Sequence, residues 1–327
     1  MRRREFIILL GGAAVAWPLM ARGQQPGTPV IGVMNSQSAV PFAHMLSGFR
    51  EGLRDGGFIE GQNVQIEYRW AEGHYDRLPA LANDLARRGV AVLVATGGET
   101  AAFAAKATTQ TIPIVFAIGG DPVKQGLVAS INRPGSNVTG VTLRTDEIEG
   151  KRVGLLQAMV PKTTLVGVLI NPDFPLAQNQ QREVLDATSR VGLRAIVVLA
   201  RSENEFQPAF AMASEQRADA FIVCADPLFN NRRDQLIALA ARYRLPAIYE
   251  FREYALDGGL MSYGVNIVVL YRDVGRYTAR ILKGAKPSDL PIMQPTKFEF
   301  LLNLKTARTL GIEVPLGLSA GADEIIE

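Results

Sequence analysis

Few side chains in this sequence are placed to make or break covalent bonds. His44 and His74 are its only histidines, thirty residues apart and without a metal-ligand spacing. The one cysteine, Cys224, sits inside the apolar run AFIVCA and reads as a core thiol, so no internal disulfide or cysteine metal cluster can form. Residues 317–321, GLSAG, match G-x-S-x-G literally, but no strand precedes them and no histidine follows, so they are expected to be a tail loop. No P-loop or dinucleotide fingerprint occurs. What remains is chemistry of recognition: hydroxyls, amides, glycines and a few carboxylates and aromatics that recur just after apolar runs.

Those runs end in Asn35-Ser36-Gln37-Ser38, Thr96-Gly97-Gly98-Glu99-Thr100, Gly119-Gly120-Asp121-Pro122, Asn171-Pro172-Asp173-Phe174, Ala225-Asp226-Pro227 and Glu250-Phe251. Neutral donors beside aromatic walls suit a small polar or zwitterionic solute. In TGGETAAFAAKA, Gly97-Gly98 allows close backbone approach, and the helix that follows offers unpaired N–H groups to a carboxylate. Glu99 would compete for those donors, meet an ammonium group, or simply complement the helix dipole. Asp121-Pro122 and Asp226-Pro227 read first as helix N-caps with proline in the first turn, which does not prevent them from lining a cleft. Phe42, Phe174, Phe229 and Tyr249 are candidates for stacking on a ligand, each with a place in the core as the alternative.

The elements that must position these residues alternate regularly. Strands are expected at 30–34, 64–70, 90–96, 112–118, 137–143, 165–170, 194–200, 220–225, 246–251 and 259–264, most of them continuous apolar runs of the kind buried on both faces of a parallel sheet. Helical spacing fills the gaps; Leu78, Leu81, Leu85 and Val90 fall near one face, with Gly89 as the C-terminal stop. Repeated βα units imply an α/β fold of two doubly wound lobes joined by hinge strands, with a cleft at the carboxyl ends of the strands. The expected division is 28–143 plus 259–289 for the first lobe, and 144–258 plus 290–327 for the second.

The first 23 residues read differently. Three arginines, an eleven-residue apolar run and a small-residue end form a signal peptide, too short and too broken by Pro18 for a membrane span. Arg3-Arg4-Glu5-Phe6-Ile7 resembles a twin-arginine motif, leaving the export route open. Residue 24 is Gln, not the cysteine that a lipid anchor requires. Residues 1–23 carry four of the 35 basic and one of the 32 acidic side chains, which leaves 31 of each and no electrostatic footprint for nucleic acid or anionic lipid. A free periplasmic protein without stable membrane insertion is expected.

GFREGLRDGGFIEGQNVQIEYRWAEG, IPIVFAIGGDPVKQGLVASINRPGSNVTGV and KFEFLLNLKTARTLGIEVP resemble the ABC-transporter substrate-binding proteins related to the tryptophan-binding TrpX type, over about residues 28–315. The resemblance implies a periplasmic-binding-protein type I-like fold, a membrane permease and its ATPase as partners, and neither catalysis, cofactor nor metal in this subunit. It implies ligand contacts from Ser36, Gln37, Gly97, Gly98, Glu99, Thr100, Gly120 and Asp121 in the first lobe. From the second lobe it implies Asn171, Asp226, Tyr249 and Glu250, with Tyr263 near the crossover; Phe42 and Phe229 join them as stacking candidates. Glu99 departs from the small residue or proline expected there. The expected solute is a carboxylate-bearing amino acid or aromatic acid. A sensor feeding a membrane receptor, or a periplasmic α/β enzyme, are the alternatives.

Overall fold

The computed structural model describes residues 27–145 and 148–327; the signal peptide expected at 1–23 lies outside them. In the first sheet, β1 (Val30–Asn35), β2 (Gln65–Trp70), β3 (Val92–Thr96), β4 (Ile114–Ile118) and β5 (Val138–Thr142) run parallel in the order β2-β1-β3-β4-β5. This is a doubly wound order whose reversal lies between β1 and β3, where open α/β sheets leave a crevice. Every residue of β3, β4 and β5 is buried, as continuous apolar runs predict, whereas the edge strand β2 is half-exposed. Helices α1 (Ala43–Asp55), α2 (Leu78–Arg87) and α3 (Glu99–Thr108) form its crossovers. Gly89, with φ +67°, terminates the α2 segment as expected.

The second sheet has the order β12-β11-β10-β9-β8-β6-β7. Its strands are β6 (Leu165–Ile170), β7 (Arg194–Leu199), β8 (Ala220–Val223), β9 (Ala247–Tyr249), β10 (Met261–Gly264), β11 (Glu299–Asn303) and β12 (Glu324–Ile326). Helices α4 (Glu149–Met159), α5 (Ala177–Arg190), α6 (Phe206–Glu215), α7 (Pro227–Asn231), α8 (Arg233–Arg242), α9 (Arg252–Leu256), α10 (Ile267–Leu282), α11 (Leu304–Leu310) and α12 (Leu316–Gly321) complete the order. Its reversal falls between β6 and β8. The ten expected strands are present, but β11 and β12 had no counterpart in the sequence reading, and β11 pairs antiparallel with β10. Residues 317–321 belong to α12, not to a loop, and Ser319 donates only to the Pro315 carbonyl at 3.3 Å.

Where the chain crosses between lobes differs from expectation. Residues 259–264, assigned from sequence to the first lobe, form β10 of the second sheet; the return begins only after Gly264, with α10 packing along α1. Conversely, residues 290–293 run beside β5: Met293 N–H donates to Gly140 O at 3.0 Å, and Thr142 N–H to Met293 O at 2.9 Å. Three segments therefore join the lobes, from β5 to α4, from β10 to α10, and from Met293 to β11. Arg144 on the first donates to Gln294 on the third at 2.6 Å.

Helices α1 and α10 approach closely because glycines face backbone across the seam. A Cβ on Gly52 would collide with the Arg272 carbonyl, and one on Gly275 with that of Phe49. Asp55 adds ion pairs to Arg272 and Arg276, both at 2.9 Å. Gly52→Ala is expected to destabilise the protein by about 1–3 kcal/mol through overpacking. Gly154→Ala, on α4 with no described atom within 4 Å of the new Cβ, should be neutral or stabilising by up to about 1 kcal/mol. Denaturant unfolding of the two variants checks the contrast.

Candidate functional site

The carboxyl ends of both sheets meet at a cavity. Its first-lobe wall comprises Gln37 after β1, Gly97-Gly98-Glu99 between β3 and α3, the end of β4 through Gly119, and Leu143 and Thr145 after β5. The facing wall comprises Phe174, Ala225-Asp226-Pro227, Asn230, Glu250 and Phe251, and α10 adds Ile267 and Tyr271.

Behind the first wall, Asn35 fixes the β1 rim. Its Oδ1 accepts the Gln37 N–H at 2.7 Å, and its Nδ2 donates to Thr96 Oγ1 at 2.8 Å. Ser36 Oγ donates to the Gly97 carbonyl at 2.5 Å, locking the rims of β1 and β3 together. Gly97 and Gly98 have φ of +85° and +99°, a region that favours glycine. A Cβ at Gly97 would sit 2.7 Å from Ser36 N, and one at Gly98 would press on Pro227 of the other lobe at 3.2 Å.

Glu99 is fully buried. Its Oε1 accepts N–H groups from Gly119 at 2.9 Å and Gly120 at 2.8 Å, and its Oε2 has no hydrogen-bond partner. Burial pushes this carboxyl above its usual range against the pull of the Gly120 N–H, its own N–H, the nearby Gln125 amide and the Gly119 N–H. The Gln125 side-chain amide, buried and with no other partner, lies close enough to Glu99 to favour its anion as a hydrogen-bond donor, although no bond of ordinary length and angle joins the two.

Asp226 is the N-cap expected from sequence: Oδ1 accepts from Leu228 N at 2.7 Å and Phe229 N at 3.3 Å. Its Oδ2 accepts from Asn171 Nδ2 at 3.1 Å and, across the cleft, from the Tyr75 hydroxyl at 3.3 Å. Ser38 N–H likewise crosses to Asn231 Oδ1 at 3.2 Å. Burial lifts Asp226 to about 7 and Glu250 to about 8. At Glu250, Arg152 on α4 pulls down, while Glu149, Asp226 and Glu99 push further up. Arg152 is itself fully buried, paired with Glu149 at 2.9 Å and donating to the Tyr263 carbonyl at 3.0 Å.

The expected site residues divide into three groups. Gln37, Gly97, Gly98, Glu99, Asp226 and Glu250 line the cavity. Ser36 and Gly120 stand behind it as donors to Gly97 and Glu99, while Thr100 and Asn171 border the outer mouth. The others point elsewhere. Asp121 caps the next turn through the N–H groups of Val123 and Lys124. Phe42 is buried edge-on against Trp70 and Tyr271, Phe229 packs on Phe206, Tyr249 stacks on Tyr254, and Tyr263 stacks on Phe298. The physical reason is alternation and packing: apolar rings at these positions fill the cores beneath the rims. The aromatic wall comes instead from Phe174, Phe251 and Tyr271. Phe174 and Phe251 stood at strand ends in the sequence; nothing local marked Tyr271, which reaches the cavity only because α10 crosses back.

The family of ABC transporter substrate binding proteins has a model that matches residues 31–326. A tyrosine-binding protein of Clostridioides difficile (strain R20291) is 23% identical over 270 residues, covering 81% of this chain and 76% of that protein. Among solved structures, an ABC domain in complex with L-Trp from Streptococcus pneumonia superposes with a TM-score of 0.83 at 24% identity, covering 91% of this chain and all of that one. A ligand-free, open substrate binding protein with adhesive properties from Clostridium difficile gives 0.65 at 23% identity, covering 91% and 99%. These structural neighbours have the type I periplasmic-binding-protein-like arrangement of two α/β lobes.

The raised carboxyls make stability depend on pH. Asp226 and Glu250 bind protons more tightly folded than unfolded, so their contribution is present at low pH and is lost as pH rises through about 7 and 8. His44, lowered by burial, works in the opposite sense below its ordinary 6.5. The thermal midpoint of the ligand-free protein is therefore expected to fall between pH 6.5 and 8, and Glu250→Gln should make that slope shallower. A midpoint rising over the same interval would contradict the assignment.

Proposed function

The chain belongs to the ABC transporter substrate-binding proteins, and from that premise we propose that it captures an amino acid or a closely related aromatic solute between its lobes. We read it as the periplasmic subunit of an importer, delivering that solute to a membrane permease driven by an ATPase, with no chemistry performed on it. The observation that carries this reading is a cavity walled from both sheets and latched across by Tyr75 and Asp226. The names of the relatives, a tyrosine-binding protein and a domain in complex with L-Trp, support the solute class.

The mechanism follows from the walls. A solute touching Gln37 and Glu99 on one side and Phe174, Glu250 and Phe251 on the other makes its full set of contacts only when the lobes are together. It therefore shifts the population toward closure by the difference in its affinity for the two arrangements. Tyr75 reaches from the first lobe to Asp226 on the second, adding a protein–protein contact available only in the closed form. A docking permease can then distinguish loaded from empty by the relative position of the lobes. Among the described residues no helix is long and apolar enough to cross a membrane.

Isothermal calorimetry with L-tyrosine and L-tryptophan tests the reading. Saturable binding of one molecule per chain is expected, together with a rise of several degrees in the thermal midpoint at about 100 times the dissociation constant. No heat and no shift with any proteinogenic amino acid would overturn the solute class. Tyr75→Phe is expected to weaken binding by roughly 2- to 10-fold, mainly through faster release, as loss of one closed-state hydrogen bond requires.

A further inference from the structure

Among the described residues, three carboxylates line the cavity, Glu99, Asp226 and Glu250, and no lysine, arginine or histidine does. Their circumstances differ. Asp226 is saturated by two N–H groups, the Asn171 amide and the Tyr75 hydroxyl. Glu250 has the Arg152 guanidinium behind it, whose Nη1 is paired with Glu149 and whose Nη2 has no partner. Glu99 is the group left incomplete: one oxygen is anchored on Gly119 and Gly120, and the other, fully buried, has no partner. Three further side-chain oxygens on the lining, Gln37 Oε1, Thr145 Oγ1 and Asn230 Oδ1, are also buried without a partner, and of these the Thr145 hydroxyl can donate as well as accept.

Of the roles the sequence left open for Glu99, this arrangement favours meeting an ammonium group. The N–H groups at the β4 rim, which could have seated a solute carboxylate, are occupied by a carboxylate of the chain itself. A second anion placed there would face Glu99 and Glu250 with no cation among the lining residues. An ammonium group fits the same place: it offers three donors to the unpartnered oxygens of Glu99, Gln37 and Asn230, beside a wall that includes the rings of Phe174, Phe251 and Tyr271. A metal ion is a poorer match, because no group of three His, Cys, Asp or Glu among the described residues is arranged to hold one.

We propose that this receptor selects its solute by a cationic amine seated on Glu99 Oε2 and facing Glu250, so that the ligand class is organic ammonium compounds with an apolar or aromatic body, and a carboxylate on the ligand is dispensable. The inference rests on the reading of the chain as a solute receptor. It gives Glu99 and Glu250 a joint role, since a cation between carboxylates of opposite lobes favours closure.

Calorimetry at pH 8 with matched sets separates the amine from the acid. One set is L-tyrosine, tyramine and 3-(4-hydroxyphenyl)propanoate; the tryptophan and leucine counterparts form two more. In at least one set the decarboxylated amine should bind within 10-fold of the amino acid or more tightly, and the deaminated acid at least 100-fold more weakly. Glu99→Gln should lower amine affinity by at least 10-fold, with circular dichroism confirming that the variant is folded; the matched sets stand without it. Binding of the amino acid and the acid but not the amine would overturn the inference and leave the receptor reading intact. Binding of the amino acid alone would show that both ends are required, which also overturns it. Silence from all three sets would overturn the inference and the proposed solute class together.

Discussion

A carboxylate held out of water needs donors fixed in advance, and at Glu99 these come from the turn that closes the first lobe's rim. The Gly119 and Gly120 N–H groups converge on one of its oxygens, which ties the start of α3 to the end of β4. Much of the local sequence serves that placement. Gly97 and Gly98 take left-handed backbone so that the chain can turn from β3 into α3 beneath Ser36, and Asn35 and Ser36 pin the neighbouring rim. Burial without full compensation is costly. The unpartnered oxygen is consistent with a structure whose complete set of contacts includes a ligand.

The second lobe is built on a related compromise. Asp226 caps a short helix and accepts a bond from the first lobe, so one carboxylate both shapes its own rim and holds the cleft shut. Glu250 lies beside Glu149 and Arg152 at the crossovers, close enough for their charges to act on it. Charge at the cavity is thereby linked to a segment that joins the lobes, since Arg152 also donates to Tyr263 at the end of β10. The close α1–α10 seam returns α10 to the first lobe and brings Tyr271 to the cavity wall.

Much of the fold was legible because its signal is local. Most of the ten expected strands announced themselves as continuous apolar runs, and the glycine and Asx residues after them marked the rims. The lobe crossings were less legible. β10 looks like any other strand, and only pairing with β9 and β11 places it in the second sheet. β11 and β12 lack the turn-bounded apolar signature and depend on tertiary pairing. At the site, Glu99, Asp226 and Glu250 could be named from their positions at strand ends. Which way the neighbouring aromatics pointed could not: Tyr249 and Phe251 are two residues apart, yet one stacks on Tyr254 and the other lines the cavity. For Glu99 the sequence left open whether it competes for the helix donors, meets an ammonium group or complements the helix dipole, because nothing local shows that it folds back onto the Gly119 and Gly120 N–H groups.

The central claim is that a solute is enclosed by the two lobes and holds them together. A spin-label distance across the mouth tests it most directly, with cysteines introduced at Asp76 and Arg201, both exposed and on opposite lips, while Cys224 stays buried and unlabelled. The account predicts a broad or longer distance without solute that collapses to one shorter distance when a binding amino acid or amine is added at saturation. A distance distribution that stays unchanged while calorimetry records saturable binding would contradict it.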